Sequence, residues 1–429
     1  MSSRRNVIKA GITASAGLLL PYRLLYNRLK LSDLSFPVRY ITKGPYFHWF
    51  GYYDKLQFDH TNRYVLGMET KFEGRTPRPD DEIRIGMVDL HNQDKWIDLD
   101  ISKSWGWQQG CMLQWIPGSD NEIIWNDRQD DRFVSHILNV QTGKKRTLPR
   151  AIYTLSPDGS WAIGTEFSRI QNLRPGYGYA GVPDPYEKVK VPQGSGLYRL
   201  NLLSEKEELL FTLADIASIP LNGVSVTDNF HWFNHLLINQ DGSRFIFLNR
   251  WRPSTGDKPD MSSGFKTRMF TANMDGSNLY CVDPSGNTSH FIWKNPSSIC
   301  AYTKPEGYDS GFYILKDKTG EFIRIGQGKM TENGHQSFLS VGNGEEWLVC
   351  DNYARANNRF QVPYLYHIPS DKRIDLGSFY CNPAYTGEWR CDLHPRISPD
   401  NNFVCIDSTH GGCGRQLYLI DIRSMWNPD

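Results

Sequence analysis

Four histidines fall at a shared distance ahead of a repeated phrase. His235, His290 and His394 each lie three residues before the apolar residue that precedes a turn, and His335 lies four before. A neutral imidazole is either a proton acceptor near neutral pH or a metal ligand. Side chains recurring in phase with a repeat are brought to one place when the repeats are stacked. Asp392 stands two residues before His394, so an extended backbone points both side chains to one face. Gln336 follows His335 and points away unless a bulge intervenes. The set His335, Asp392 and His394 offers oxygen and nitrogen donors that suit Mn²⁺, Fe²⁺ or Zn²⁺, and Mn²⁺ or Ca²⁺ gain as carboxylate and water ligands are added. A single histidine at such a position can equally satisfy backbone groups. The in-phase set of four is what favours chemistry.

The elements that position these residues are read from the repeat itself. Leu155-Ser156-Pro157-Asp158-Gly159-Ser160-Trp161 recurs as Ile238-Asn239-Gln240-Asp241-Gly242-Ser243-Arg244 and as Ile397-Ser398-Pro399-Asp400-Asn401-Asn402-Phe403. Looser copies run over 58–66, 115–125, 293–302 and 339–350, which makes seven. Asp-Gly and Asn-Asn supply the positive φ of a tight hairpin, and β-branched and aromatic residues flank them. A third strand follows each turn, over 85–90, 135–140, 197–202, 268–273, 311–315, 364–368 and 416–422. Four short strands per repeat, seven times over, predict an all-β, seven-bladed β-propeller occupying 31–429 as a single domain. Its first strands are innermost, so the histidines line the central channel in the fourth to seventh blades. No long helical period appears outside the N-terminal segment. The longest insertion, between the third and fourth turns, carries Arg174 and a Gly/Tyr/Pro-rich run, and such loops crown one face of the ring.

Residues 1–30 are set apart as export signal and linker. Ser3-Arg4-Arg5-Asn6-Val7-Ile8-Lys9 precedes a short apolar run, 10–20, in the order of a twin-arginine signal. That implies the twin-arginine export machinery as a partner and a periplasmic or extracellular address. Eleven apolar residues are too few to span a bilayer, where roughly twenty are needed. The small-residue run 13–16 is an unclean cleavage site, so a retained N-terminal anchor stays open. The formal charge of +1 gives no basis for nucleic-acid binding. The eight cysteines show no CxxC spacing; Cys381, Cys391 and Cys413 are candidates for pairing, with no connectivity readable. A GxSxG elbow, a P-loop and a GxGxxG after a strand are all absent.

Four stretches resemble polysaccharide lyase family 22, the oligogalacturonate lyases, which are seven-bladed propellers. Phe47-His48-Trp49-Phe50-Gly51-Tyr52-Tyr53-Asp54-Lys55 looks like the family's His-Arg-Asn-Tyr-Phe-Tyr-Gln-Lys. Ser289-His290-Phe291-Ile292-Trp293 looks like Thr-His-Glu-Phe-Trp, and Gly334-His335-Gln336-Ser337 like Cys-Ser-His-Leu. Asp392-Leu393-His394-Pro395-Arg396 looks like His-Pro-His-Pro-Ser. The resemblance implies β-elimination on a uronic-acid glycan, with His290 as base and a divalent metal on His335, Asp392 and His394. Manganese is the first choice, with zinc or calcium as alternatives. His48, Tyr53, His235, Arg250 and Arg174 are then expected to contact an oligo- or polysaccharide substrate. The chain departs from the family where Asp392 replaces a histidine and where Glu388 and Trp389 stand near its glutamine ligand. An export signal is a further departure from enzymes that are typically cytoplasmic. Two other readings compete: a non-catalytic periplasmic binding propeller of the TolB kind, and a glycoside hydrolase pairing Asp392 with Asp54 or Asp127.

Overall fold

The computed structural model describes residues 35–339 and 346–426. The expected turns become hairpins for a visible reason. In three of them the Asp carboxylate accepts the backbone N–H two residues on: Asp158 from Ser160 at 3.1 Å, Asp241 from Ser243 at 2.9 Å and Asp400 from Asn402 at 3.0 Å. The residue after each Asp takes the left-handed backbone, with φ of 67° at Gly159, 71° at Gly242 and 59° at Asn401. These are the positive φ angles of a tight hairpin, which glycine and asparagine tolerate best.

The hairpins build seven four-stranded antiparallel sheets, here blades 1 to 7. Blade 1 runs from Phe47 to Ser102, blade 2 from Gln114 to Leu148 and blade 3 from Thr154 to Thr212. Blade 4 runs from Phe230 to Asp283, blade 5 from Phe291 to Ile325 and blade 6 from Ser337 to Asp375. Blade 7 takes three strands from Arg396–Asp421 and its fourth from Val38–Tyr40, where Val38 pairs with Ile420. The two ends of the chain are thereby laced into one sheet, which closes the ring.

The core lies between blade faces. One cluster joins blades 2, 3 and 4 through Ile124, Ile163 and Phe245, and another joins blades 7, 1 and 2 through Leu417, Val65 and Ile123. Middle strands are covered on both sides, which explains continuous apolar runs such as Phe245–Leu248. First strands of neighbouring blades meet near the axis, as Thr154–Leu155 does with Phe230–Ile238.

Among the described residues, two short α-helices depart from the all-β expectation. Phe167–Leu173 lies in the long insertion, and Leu213–Ala217 is started by a capping box of Thr212 and Asp215. The insertion is tied down by buried Arg169. That guanidinium donates to the carbonyls of His231, Tyr186, Val189 and Lys190 and pairs with Asp184 at 3.2 Å. No helix among the described residues is long and apolar enough to cross a membrane. The export-signal expectation falls on residues outside the described ones.

Candidate active site

Blade 1 supplies the centre of the site through a bend. Asp407 of blade 7 accepts the backbone N–H of Gly51 at 3.2 Å, and Gly51 has φ of 102°. A Cβ there would sit 2.9 Å from the Gln109 backbone, so only glycine lets the chain turn inward. Tyr52 and Tyr53 follow and reach the axis. Tyr53 Oη donates to Phe291 O at 2.7 Å.

Histidines from four consecutive blades surround Tyr52. Its ring centre lies 4.9 Å from His235, 6.5 Å from His290, 6.5 Å from His335 and 5.5 Å from His394. His290 and His335 are 4.4 Å apart, and His335 and His394 are 4.2 Å apart. His290, His335 and His394 stand just before the first strands of their blades. His235 stands within its strand, at a bulge with φ of 51° that re-aims the side chain. His394 also has a positive φ, 43°, so Asp392 and His394 converge through a kink and not through an extended strand. Gln336 turns away, as expected, and donates to His290 O and Cys300 O.

Hydrogen bonds fix which imidazole nitrogen is free. Asn333 is oriented by its Nδ2, which donates to Ser289 Oγ at 2.9 Å, so its oxygen faces His290 Nδ1 at 3.1 Å. His290 therefore carries its proton on Nδ1 and a lone pair on Nε2. Asp351 holds His335 Nδ1 at 2.9 Å and also accepts the backbone N–H of His335 and of His394. The His335 Nε2 is left facing the cluster. Tyr353 Oη lies 3.3 Å from His290 Nε2 and 3.1 Å from His335 Nε2. One phenol proton thus faces two imidazole nitrogens.

Burial, reinforced by the neighbouring imidazoles, pushes His290 well below the ordinary histidine range. It does the same at His394, where His335 and Arg396 add to it. Both are neutral bases at physiological pH. At His235 burial also lowers the pKa, although Asp54, at 3.2 Å from Nε2, opposes it.

Ligand atoms of His335, Asp392 and His394 lie within 4.8 Å of one another, and all three residues are buried. Two imidazoles and one carboxylate, with Asp351 behind His335, fit a divalent cation; a carboxylate behind a ligating histidine is the usual support of such sites. Asp392 is also held by Arg390 at 2.8 Å, and Arg390 Nη2 donates to Tyr177 Oη at 2.6 Å.

The remaining candidates are placed as follows. Arg174, from the insertion, stacks 3.7 Å above the Tyr177 ring, and Arg250 lies 5.1 Å from the Phe265 ring. His48 is not brought to the cluster. It stands opposite Glu69 in the sheet, so its ring meets Glu69 at 3.1 Å, Gln416 at 2.9 Å and the Trp96 ring at 4.9 Å. Asp127 pairs with His136 in blade 2 at 3.2 Å, and Asp54 with Lys55 at 3.1 Å, so neither forms a free carboxylate pair with Asp392. His231 stacks on Trp251, and Trp105 and Trp107 are buried packing. Tyr52, Tyr353, Asp351, Asn333 and Arg390 were not singled out from sequence. The Gly51-Tyr52-Tyr53 bend was the one readable signal among them.

At the other mouth, residues from all seven blades line a funnel of about 920 Å³. Tyr53, Asp54 and Lys55 form its floor, so this segment separates the funnel from the histidines.

No family model matches the chain, and no curated protein does. Solved structures do. An oligogalacturonate lyase from Vibrio parahaemolyticus superposes with a TM-score of 0.63 at 15% identity, covering 92% of this chain and 96% of its own. An oligogalacturonate lyase in complex with manganese gives a TM-score of 0.63 at 16% identity and the same coverage. TolB from Acinetobacter baumannii gives a TM-score of 0.38 at 12% identity, covering 72% of this chain and 62% of its own. At these identities the likeness to the two lyases shows the fold alone.

Proposed function

We propose that the protein is an exported carbohydrate-active enzyme, a lyase that cleaves uronic-acid-containing glycans by β-elimination. The observation that carries this reading is a neutral His290 whose Nδ1 is committed to Asn333 and whose Nε2 faces the cluster formed with His335, Asp392 and His394. A base of this kind is what removal of the weakly acidic C5 proton of a uronate requires. The manganese complex of the similarly folded lyase supports the choice of cation.

His335, Asp392 and His394 would hold the cation, which supplies positive charge near the uronate carboxylate as charge develops at C5. His290 Nε2 takes the C5 proton, the C4–O4 bond breaks, and a C4–C5 double bond forms as the leaving oxygen gains a proton. Asn333 holds the imidazole in the reactive tautomer. Tyr353 stands between His290 and His335 where the reacting sugar would enter, and Arg250 and Arg174 would contact the substrate beyond that sugar. Tyr53 and His235 shape the inner wall; His48 supports blade 1 instead. Burial of all four cluster histidines keeps bulk water from the developing charge.

The test is elemental analysis of the purified protein followed by a panel of polyuronates read for unsaturated product by mass spectrometry. A bound divalent metal with an unsaturated product supports the lyase. Metal without elimination favours a hydrolase, and neither favours a binding propeller.

A further inference from the structure

Three guanidinium groups gather around one aromatic ring beside the histidines. The Cζ atoms of Arg174, Arg250 and Arg252 lie 4.9, 5.1 and 5.3 Å from the centre of the Phe265 ring. Arg250 and Arg252 are two apart on the second strand of blade 4 and so share a face, while Arg174 comes from the end of the insertion helix. Arg250 is 3% exposed, yet its Nε and Nη1 have no hydrogen-bond partner. Arg252 donates to Leu173 O and Ser263 O, and Asp260 offsets part of its charge without forming an ion pair. Among the described residues no carboxylate forms an ion pair with any of the three, in a chain where most buried arginines have one. Clustered like charges taken partly out of water are costly unless something opposes them.

The position of the trio says what that is. Arg174 stacks on Tyr177, Tyr177 Oη receives Arg390, and Arg390 holds Asp392. The trio is therefore linked to the candidate cation ligands through Tyr177 and Arg390. Phe265 is half-buried and offers an apolar surface between the charged forks. Planar guanidinium forks match carboxylate and sulfate oxygens two at a time.

We propose that Arg174, Arg250 and Arg252 form a subsite for further anionic groups, carboxylate or sulfate ester, on sugars flanking the unit held among the histidines. This rests on reading the histidine cluster as a glycan site. One such group can bridge two guanidinium forks, so three forks call for at least two groups, and the ligand class is an oligosaccharide with at least two charged units beyond the reacting one. A single uronic acid fills the histidine end and leaves the trio open.

The test is calorimetric titration of the full chain bearing His290→Ala, supplied with Mn²⁺, with 4-linked galacturonate monomer and trimer and with a trisaccharide carrying sulfate esters in place of carboxylates. Arg174→Gln and Arg252→Gln are compared, with Arg250→Lys as the variant that keeps charge but loses the fork. Thermal melts confirm folding. The expected result is a charged trimer bound at least roughly tenfold tighter than monomer, with most of that gain lost in the Gln variants and with added salt. Whichever trimer binds tighter identifies the group. A trimer bound no tighter than monomer, or Gln variants that bind it as their parent does, overturns the proposal. Arginine-dependent trimer binding in a protein whose wild type never yields unsaturated product would sink the lyase reading and leave the subsite standing. Product formation with arginine-independent binding does the reverse.

Discussion

Replacing Asp351 removes one carboxylate that three buried donors share across two blades. Oδ1 accepts His335 N at 2.7 Å and Nδ1 at 2.9 Å, while Oδ2 accepts His394 N at 3.2 Å. The side chain is fully buried at the end of the second strand of blade 6, so water does not replace it cheaply. In Asp351→Ala all three N–H groups lose their acceptor. At about 1–3 kcal/mol per stranded buried donor, with overlap between neighbours, the loss comes to roughly 4 kcal/mol. Asp351→Asn keeps the volume and one acceptor but turns an NH₂ toward a donor, for a loss of about 2 kcal/mol. Because the same carboxylate orients His335, both variants also weaken Mn²⁺ binding by about 10- to 100-fold. Guanidinium unfolding followed by tryptophan fluorescence reads the first effect, and metal calorimetry on the folded Asn variant reads the second. An Asn variant with the parental unfolding midpoint and the parental Mn²⁺ affinity would refute the reasoning.

Further outcomes follow from other buried groups. Burial lowers the pKa of His48 and of His231 from 6.5 to about 4, against opposing hydrogen bonds from Gln416 and Val226. Between pH 4 and 6.5 the unfolded chain binds the extra proton, so stability is full above 6.5 and falls as pH drops toward 4. Each histidine contributes roughly 3 kcal/mol of that fall, and His48→Gln should flatten the curve of urea midpoint against pH. Lys55→Met strips Asp54 of its ammonium partner at 3.1 Å and should cost about 3–5 kcal/mol, seen as a lower melting temperature. At Asp54 burial raises the carboxyl pKa, but Lys55 and His235 outweigh it and hold the group below 3.8, so this pair survives mild acid. Changing Arg4 and Arg5 to Lys should leave the protein in the cytoplasmic fraction on cell fractionation, as twin-arginine export requires; unchanged export points to another route.

Six turns and seven third strands were readable because turn chemistry is local; the turn expected within 339–350 lies outside the described residues. The expected third strand 311–315 is observed as Gly311–Lys316, and 364–368 as Tyr364–His367. The closing strand Val38–Tyr40 was not assigned, since three residues carry no period and their partner is some 380 positions away. The in-phase histidines met as their spacing implied. His48 did not join them, because strand register against Glu69, invisible in a single short segment, decides where it points. Asp351 and Tyr353 follow the second strand of blade 6 without a turn signal, and their importance comes from contacts with blades 5 and 7. Arg250 stood out by position, but its company of Arg174 and Arg252 around Phe265 exists only once the insertion is folded.

The most direct measurement is the ultraviolet absorbance of unsaturated uronate released from oligogalacturonate by wild type and by His290→Ala, each supplied with Mn²⁺ and each checked by melting temperature. Elimination by His290 predicts steady growth of absorbance with wild type and none above background with the folded variant. Equal rates from the two proteins, or sugar release by wild type without any absorbance, would contradict it.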